Sequence, residues 1–123
     1  MESMTRAYKD LIAWQKGIQL TKLVYQRTSK FPSEEKFGLV SQVRRAAVSI
    51  PSNIAEGQAR RTSGEFIQFI SNAEGSIAET DTQLILSVEL GFCRPVDVTK
   101  AFELVVELQK MLNALRRKLL ARS

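Results

Sequence analysis

The sequence of 123 residues contains no histidine, and so it lacks the most common general base and the most common metal ligand of proteins. Its one cysteine, Cys93, cannot form an internal disulfide bond, so nothing indicates secretion. No apolar run approaches the roughly 20 residues that span a bilayer, and residues 1–7 lack the apolar segment of a signal peptide. These absences predict a cytoplasmic protein with no membrane partner.

The composition that remains is typical of one globular domain. Hydrophobic residues make up 44% of the chain and charged residues 25%, and only three prolines and six glycines interrupt it. We expect a single domain over residues 1–123, with residues 1–8 as a flexible tail. Lys and Arg number 18 against 13 Asp and Glu, a net charge of +5. That charge is compatible with nucleic-acid binding, and equally with a solvated basic surface.

Two helices are predicted in the first half of the chain. The first runs from about Asp10 to Ser29, and the residue before Pro32 cannot continue it. Its apolar stripe is Leu11, Trp14, Ile18, Thr21, Tyr25 and Thr28. The second begins at Ser33 as N-cap. Its stripe is Phe37, Val40, Val43, Ala47, Ile50 and Ile54.

Pro51 lies inside the second helical pattern, where it removes one backbone hydrogen bond. Two interpretations are open: a kinked helix that reaches about Arg60, or a helix that ends at Ser49. The kink is favoured because the apolar spacing passes through Pro51 without losing its phase.

The third and fourth helices have clearer signals. Thr62 and Glu65 have the spacing of a capping box, and Gly91 is a typical helix end. Asp97 is the predicted N-cap of the fourth helix. The predicted buried positions are Phe66, Phe69, Ile70, Ala73, Ile77, Thr80, Leu84 and Val88, then Ala101, Val105, Leu108, Leu112, Leu115 and Leu119. Long helices with short connections predict an all-α fold, an antiparallel up-down-up-down four-helix bundle.

Polar residues interrupt the apolar pattern of the second and third helices. They are Ser49, Ser52, Asn53 and Glu56, followed by Ser76 and Glu79. Glu56 and Glu79 could face each other inside the bundle, as in a carboxylate metal site or an acid–base pair. Because there is no histidine, an internal hydrogen-bond network is favoured, with Arg44 or Arg45 as partners of the acids, or else a surface for another subunit. We therefore predict no catalytic residue, no metal, no cofactor and no small-molecule substrate.

Basic residues gather at one predicted end of the bundle. The start of the first helix, the connection between the second and third, and the end of the fourth meet there. This basic pole would contain Arg6, Lys9, Arg60, Arg61, Arg116, Arg117, Lys118 and Arg122, with Glu2, Asp10 and Glu65 as the nearby acids. Such a pole suits phosphate-backbone binding, and Arg60, Arg61, Arg116, Arg117, Lys118 and Arg122 are the candidate contacts.

Several runs of the sequence resemble a known family. They are LIAWQK at 11–16, SQVRRAAVSIPSNIAEG at 41–57 and GSIAE at 75–79, with Phe31-Pro32 and Leu90-Gly91. Together they resemble the four-helix bundle proteins encoded in intervening sequences of bacterial large-subunit ribosomal RNA genes. The resemblance implies a ring of about five subunits. It also implies kinship with the accessory variability determinant protein of diversity-generating retroelements, a basic ring that works with nucleic acid. It implies no catalytic residues, and Glu74 departs from the arginine that relatives often carry before the glycine.

The function we expect is that of a non-enzymatic homo-oligomer that binds RNA or DNA backbone through its basic pole. The alternative is a structural or protein–protein interaction module with no nucleic-acid role.

Overall fold

The computed structural model of the protein describes Tyr8 and residues 11–122. Over this part of the chain the fold is all-α, without a β-strand, as predicted. Its α-helices are α1 (Ile12–Thr28), α2 (Leu39–Gln58), α3 (Ser63–Glu89) and α4 (Thr99–Arg122). Short 3₁₀ helices, Ser33–Glu35 and Pro95–Val98, precede α2 and α4. The expectations for residues 1–7 and for Lys9 and Asp10 lie outside the described residues.

The start and the end of α3 are as predicted. The hydroxyl of Thr62 accepts the Glu65 N–H at 3.1 Å, and Oε1 of Glu65 accepts the Thr62 N–H at 3.3 Å. Two side chains thus satisfy two of the N–H groups that have no partner inside the helix. Gly91 has a φ of 81°, which only glycine adopts readily, and it turns the chain out of α3.

The predicted caps of α2 and α4 were wrong. Ser33 begins a 3₁₀ helix instead, and α2 begins six residues later at Leu39, whose N–H donates to Oε1 of Glu35 at 3.3 Å. Asp97 accepts the backbone N–H of Arg94 at 2.9 Å, so its carboxylate caps the start of the second 3₁₀ helix rather than that of α4. In both places a proline fixes φ near the value that a tight first turn needs, and the chain makes that turn before the long helix begins.

Helix α2 continues through Pro51 to Gln58, so the interpretation that it ends at Ser49 was wrong. Proline has no N–H, so the carbonyl of Ala47, four residues earlier, loses its partner inside the helix. The hydroxyl of Thr21, on α1, lies 3.1 Å from that carbonyl oxygen and 2.8 Å from the carbonyl oxygen of Gly17. Thr21 therefore offers Ala47 the hydrogen bond that Pro51 cannot provide.

Glycine at position 17 gives α1 and α2 the room for this contact. A Cβ atom at Gly17 would lie 3.3 Å from Cβ and Cδ of Pro51, closer than most side-chain packing allows. Both residues are buried. The close approach of the two helices at this point therefore depends on a residue without a side chain.

The buried stripe of α1 differs from the predicted one. Its members are Ala13, Gly17, Leu20, Val24 and Thr28. Trp14, Ile18 and Thr21 are half-buried, and Tyr25 is 44% exposed. Because α1 packs against both α2 and α4, the centre of its buried face falls between the two, and there small residues permit close contact.

The buried positions of the other helices follow the prediction with few exceptions. The core contains Val43, Ile50, Ile54, Ile70, Ile77, Leu84, Leu108 and Leu112, each at most 1% exposed. Phe37 was assigned to the stripe of α2 but is 88% exposed, because it precedes the helix. None of the four helices, within the residues described, has the length and hydropathy to cross a membrane.

If Thr21 replaces the bond that Pro51 removes, the two residues are energetically coupled. We expect Thr21→Val to lower the free energy of unfolding by about 1–3 kcal/mol, because the Ala47 carbonyl loses its donor. In a Pro51→Ala background the new N–H supplies that bond, so the effect of Thr21→Val shrinks by about 1 kcal/mol or more. Urea unfolding of the four proteins measures the coupling.

Thr80→Val is the matched control, because the buried Thr80 hydroxyl donates to a carbonyl of its own helix, that of Ser76, at 2.8 Å. Its effect should be equal in both backgrounds. Equal effects of Thr21→Val with and without Pro51 would show that the Thr21 hydroxyl does not compensate for the proline.

Candidate nucleic-acid interface

A cavity of about 520 Å³ lies where the α2–α3 connection meets the last turns of α4. Four cationic side chains line it: Arg60, Arg61, Lys118 and Arg122. The buried side chains of Phe66 and Leu119 contribute apolar surface to its wall. None of the described residues that line this cavity is acidic. The structure thus brings together four of the six residues predicted as nucleic-acid contacts.

Helix ends explain why these cations lie together. Arg60 and Arg61 directly follow the end of α2, and Arg122 is in the last turn of α4. The carbonyl end of a helix carries partial negative charge, which stabilises nearby cations by typically 0.3–1 kcal/mol each. Thr62 and Ser63 line the same cavity and lie at the amino-terminal end of α3. The backbone N–H groups of a first helical turn favour an anion.

Arg60 is held in place by two neighbours. Its guanidinium lies over the ring of Phe69, 4.6 Å from the ring centroid, and its Nη2 lies 3.7 Å from Oε2 of Glu56. The side chain keeps 44% of its surface exposed. The stacking fixes the guanidinium plane, and at this exposure the ion pair offsets its charge only weakly.

Arg116, one of the predicted phosphate contacts, forms its hydrogen bonds with α3. It does not line the cavity; its Nη1 donates to Oε2 of Glu74 at 2.7 Å, and its Nη2 donates to the other Glu74 oxygen and to Ser71. The hydrogen bonds from Arg116 to Glu74 raise the pKa of the guanidinium above its ordinary value. This two-point ion pair fastens α4 to α3. Arg117 is exposed and outside the cavity lining, and phosphate contact by either arginine stays a prediction.

Part of the predicted polar network is present between α2 and α3. The hydroxyl oxygens of Ser49 and Ser76 are 2.7 Å apart, and Nδ2 of Asn53 donates to the Ser49 carbonyl oxygen at 2.8 Å and to its hydroxyl oxygen at 3.1 Å. Ser52 is exposed and lies toward α1 instead. The network of three side chains joins the middle of the two helices.

The two glutamates of the predicted network do not face each other. Both are exposed: Glu56 pairs with Arg60, while Glu79 lines a shallow groove beside Ala46. Since Ser49 contacts Ser76, Glu56 is seven residues beyond that contact on α2 and lies near the start of α3. The less favoured interpretation, in which the two carboxylates face each other inside the bundle, was therefore wrong.

The arginines of α2 bind other partners than the expected acids. Nε of Arg44 donates to the Thr28 hydroxyl at 2.8 Å, and the guanidinium lies 4.4 Å from the centroid of the Tyr25 ring. Nη2 of Arg45 donates to the Ser41 hydroxyl at 3.3 Å. Arg44 thus links α2 to α1, and the predicted pairing of these arginines with glutamates was wrong.

The cysteine of the chain, Cys93, is half-buried and has no disulfide partner. Burial raises the pKa of the Cys93 thiol, and the charge of Asp97 raises it further, so this cysteine is protonated at neutral pH. No group of three or more Cys, Asp or Glu residues, among those described, could hold a metal ion.

The fold and the cavity define the protein as a small helical-bundle protein with a cationic pocket at one end. A family model described as 23S rRNA-intervening sequence protein matches residues 9–114, and the chain belongs to this family. The match confirms the resemblance noted in the sequence. It includes Arg60 and Arg61, whereas Lys118 and Arg122 follow it. No curated protein matches the chain.

Sequence reasoning missed the residues that hold the cavity in shape. Gln58 and Ser63 line it without a signal of their own, and Phe66, predicted only as a buried position of the third helix, lines it as well. The Glu74–Arg116 pair joins positions 42 residues apart, and no local spacing reveals such a contact.

We expect the Glu74–Arg116 pair to stabilise the packing of α3 on α4. A double-mutant cycle with Glu74→Gln and Arg116→Gln should give a coupling energy of about 1 kcal/mol, because the pair is bidentate and its side chains are largely shielded from water. The control is Lys100–Glu103, with 3.9 Å between its charged atoms and both side chains more than half exposed. Its coupling should be at most about 0.3 kcal/mol. Equal coupling in the two pairs would contradict the structural role of Glu74.

Proposed function

We propose that this chain is a non-enzymatic, self-associating helical-bundle protein that binds the backbone of RNA or DNA at the cavity of Arg60, Arg61, Lys118 and Arg122. The observation that carries the proposal is the convergence of these four cations on one concavity whose described lining contains no acid. Phosphates are the most abundant anions of nucleic acids, and their binding by Lys and Arg releases counterions.

The proposed arrangement of the helices is antiparallel, with α2 kinked at Pro51. Contacts between α2 and α3 support it: Gln42 pairs with Gln83 and Ser49 with Ser76. Gly57 lies against Phe66. From one contact to the next, the residue number increases along α2 and decreases along α3, as it must for two antiparallel helices. The same arrangement brings the end of α4 to the start of α3, where the cavity lies.

A binding role is supported over catalysis by the chemistry of the cavity. Guanidinium and ammonium groups keep their protons at neutral pH, so they attract and orient an anion but do not transfer protons to it. No carboxylate among the described lining residues offers a general base. The proposal therefore includes no cofactor and no small-molecule substrate, and it places the protein in the cytoplasm.

Self-association is supported by apolar surface away from the cavity. Trp14, Ile18, Val48 and Pro51 line a groove of about 330 Å³ between α1 and α2, and Val48 is 40% exposed. A second copy that covers this groove would bury apolar area. In a ring of about five subunits the cavity would repeat around an axis, so weak attraction at each copy would sum to useful avidity.

A second candidate is a protein-interaction module with no nucleic-acid role. Exposed apolar side chains on the last turns of α3 favour it: Leu86 is 44% exposed and Leu90 is 60% exposed. A protein partner that binds the chain after nuclease treatment, in fixed stoichiometry, would support this candidate.

The nucleic-acid proposal predicts a loss of affinity when cavity cations are removed. Lys118→Ala with Arg122→Ala should weaken binding of a fluorescent 20-nucleotide RNA at 50 mM salt by about tenfold or more. The slope of log Kd against log salt should fall by about one to two, because fewer counterions are released. Anisotropy titrations at several salt concentrations measure both quantities.

The matched control replaces two exposed lysines outside the cavity, Lys22→Ala with Lys110→Ala, which removes the same charge. This variant should change the slope less. Equal losses in the two variants would mean that only net charge matters, and no binding by the unchanged protein at low salt would contradict the proposed function.

A further inference from the structure

We propose that the cavity binds the phosphomonoester at the end of a nucleic-acid strand in preference to the phosphodiesters within it. This inference rests on the proposed function, since it names the part of the nucleic acid that occupies the same four cations. Three observations support it: the shape of the site, the number of its charges and the kind of donors that it offers.

The site is a concave cavity rather than a flat basic face. Its volume of about 520 Å³ falls in the range of sites that enclose small molecules, roughly 300–1,000 Å³. Residues of the segment 58–63, the Phe66 side chain and the last turns of α4 line it, together with Leu11 before α1. A concave site of this size can receive the terminal phosphate of a strand.

The charge of the pocket exceeds that of one phosphodiester. Of its four cations, Arg60 has an ion pair with Glu56, while the ion pairs of the described residues include none for Arg61, Lys118 or Arg122. An internal phosphodiester carries one negative charge. A phosphomonoester carries about 1.5 to 2 negative charges near neutral pH and has three terminal oxygens that accept hydrogen bonds. The terminal group therefore compensates more of the cationic charge that the pocket concentrates.

The donors also suit a terminal phosphate. Arginine presents paired N–H groups that match two oxygens of one phosphate, and the pocket has three arginines beside one lysine. Contact with the Phe69 ring, 4.6 Å from its centroid, restrains the guanidinium of Arg60 before any ligand arrives. Ser63 adds a hydroxyl donor at the first position of α3. Several donors can thus converge on the exposed oxygens of one group.

The test compares three oligonucleotides of identical sequence, one with a 5′-phosphate, one with a 3′-phosphate and one with hydroxyls at both ends. Each carries an internal fluorophore, and the full-length protein is titrated at constant salt. At least one phosphorylated oligonucleotide should bind about tenfold more tightly than the hydroxyl oligonucleotide. Adenosine monophosphate, as competitor, should displace it only at a much higher concentration, since it lacks the rest of the strand.

The pH dependence provides a second readout. Between pH 7.5 and pH 5.5 a terminal phosphate with a pKa near 6 takes up protons and loses about 0.7 of a unit of negative charge. The preference for the phosphorylated end should therefore shrink at pH 5.5. Binding of the hydroxyl oligonucleotide should stay nearly constant over the same range.

Variants separate this inference from the proposed function. Arg61→Ala and Lys118→Ala should reduce the preference for the phosphorylated end, whereas Lys110→Ala should retain it; circular dichroism confirms that each variant is folded. Equal binding of all three oligonucleotides, still weakened by Lys118→Ala, would overturn this inference and leave the proposed function intact. Absence of binding to every oligonucleotide would overturn the proposed function itself. Adenosine monophosphate competing as strongly as the phosphorylated oligonucleotide would overturn the claim that a strand is the ligand.

Discussion

The contact between Pro51 of α2 and its two neighbours on α1 is the constraint on which the rest of the structure depends. A proline in the middle of a helix leaves a carbonyl without a donor, and here the carbonyl of Ala47 meets the hydroxyl of Thr21. Gly17 gives Pro51 the space to approach. Because a buried carbonyl without a partner is destabilising, α1 is held in one position along α2. That position brings Leu11, at the start of α1, to the edge of the cavity.

Side-chain hydrogen bonds between helices also position the other helix pairs. Ser49 and Ser76 fix the position of α2 along α3, and Glu74 with Arg116 fixes α4 against α3. Apolar side chains supply most of the burial but tolerate small shifts, whereas a hydrogen bond requires one geometry. These contacts set where the α2–α3 connection and the end of α4 meet.

Neighbouring cations on α4 consequently have different roles. Residues two positions apart on an α-helix point about 200° apart, so Arg116 reaches Glu74 on α3 while Lys118 lines the cavity. One side chain is used for packing and the other remains available to a ligand. The sequence shows only a basic cluster at the end of α4. The packing of α4 against α3 separates this cluster into a residue that forms an ion pair and residues that line the cavity.

Most of the fold could be predicted from the sequence because its signals are local. The capping box at Thr62, the glycine at position 91 and the spacing that passes through Pro51 depend on residues near each other in the chain. The predicted buried stripe of α1 lay beside the observed one. The prediction took large apolar residues as the centre of the stripe, whereas Gly17 makes the contact with α2. Phe37 was misassigned because a 3₁₀ helix delays the start of α2.

The candidate site was predicted only in part, for the same reason. The order of the helices and their short connections were enough to predict that Arg60, Arg61, Lys118 and Arg122 lie at one end of the bundle. The order of the helices could not predict that Glu74 forms an ion pair with Arg116, nor that Glu56 and Glu79 do not face each other. Both arrangements depend on how whole helices are positioned and rotated relative to one another. Such long-range geometry has no signature in spacing alone.

The central claim is that nucleic acid binds at the cavity and not elsewhere on a basic surface. Ultraviolet cross-linking of a bound RNA, followed by mass spectrometry of the cross-linked peptides, tests it most directly. We predict cross-links within residues 58–66 and 115–122, which lose intensity as salt is raised. Cross-links concentrated on the face of Arg44 and Arg45, or spread evenly over all basic segments, would contradict it.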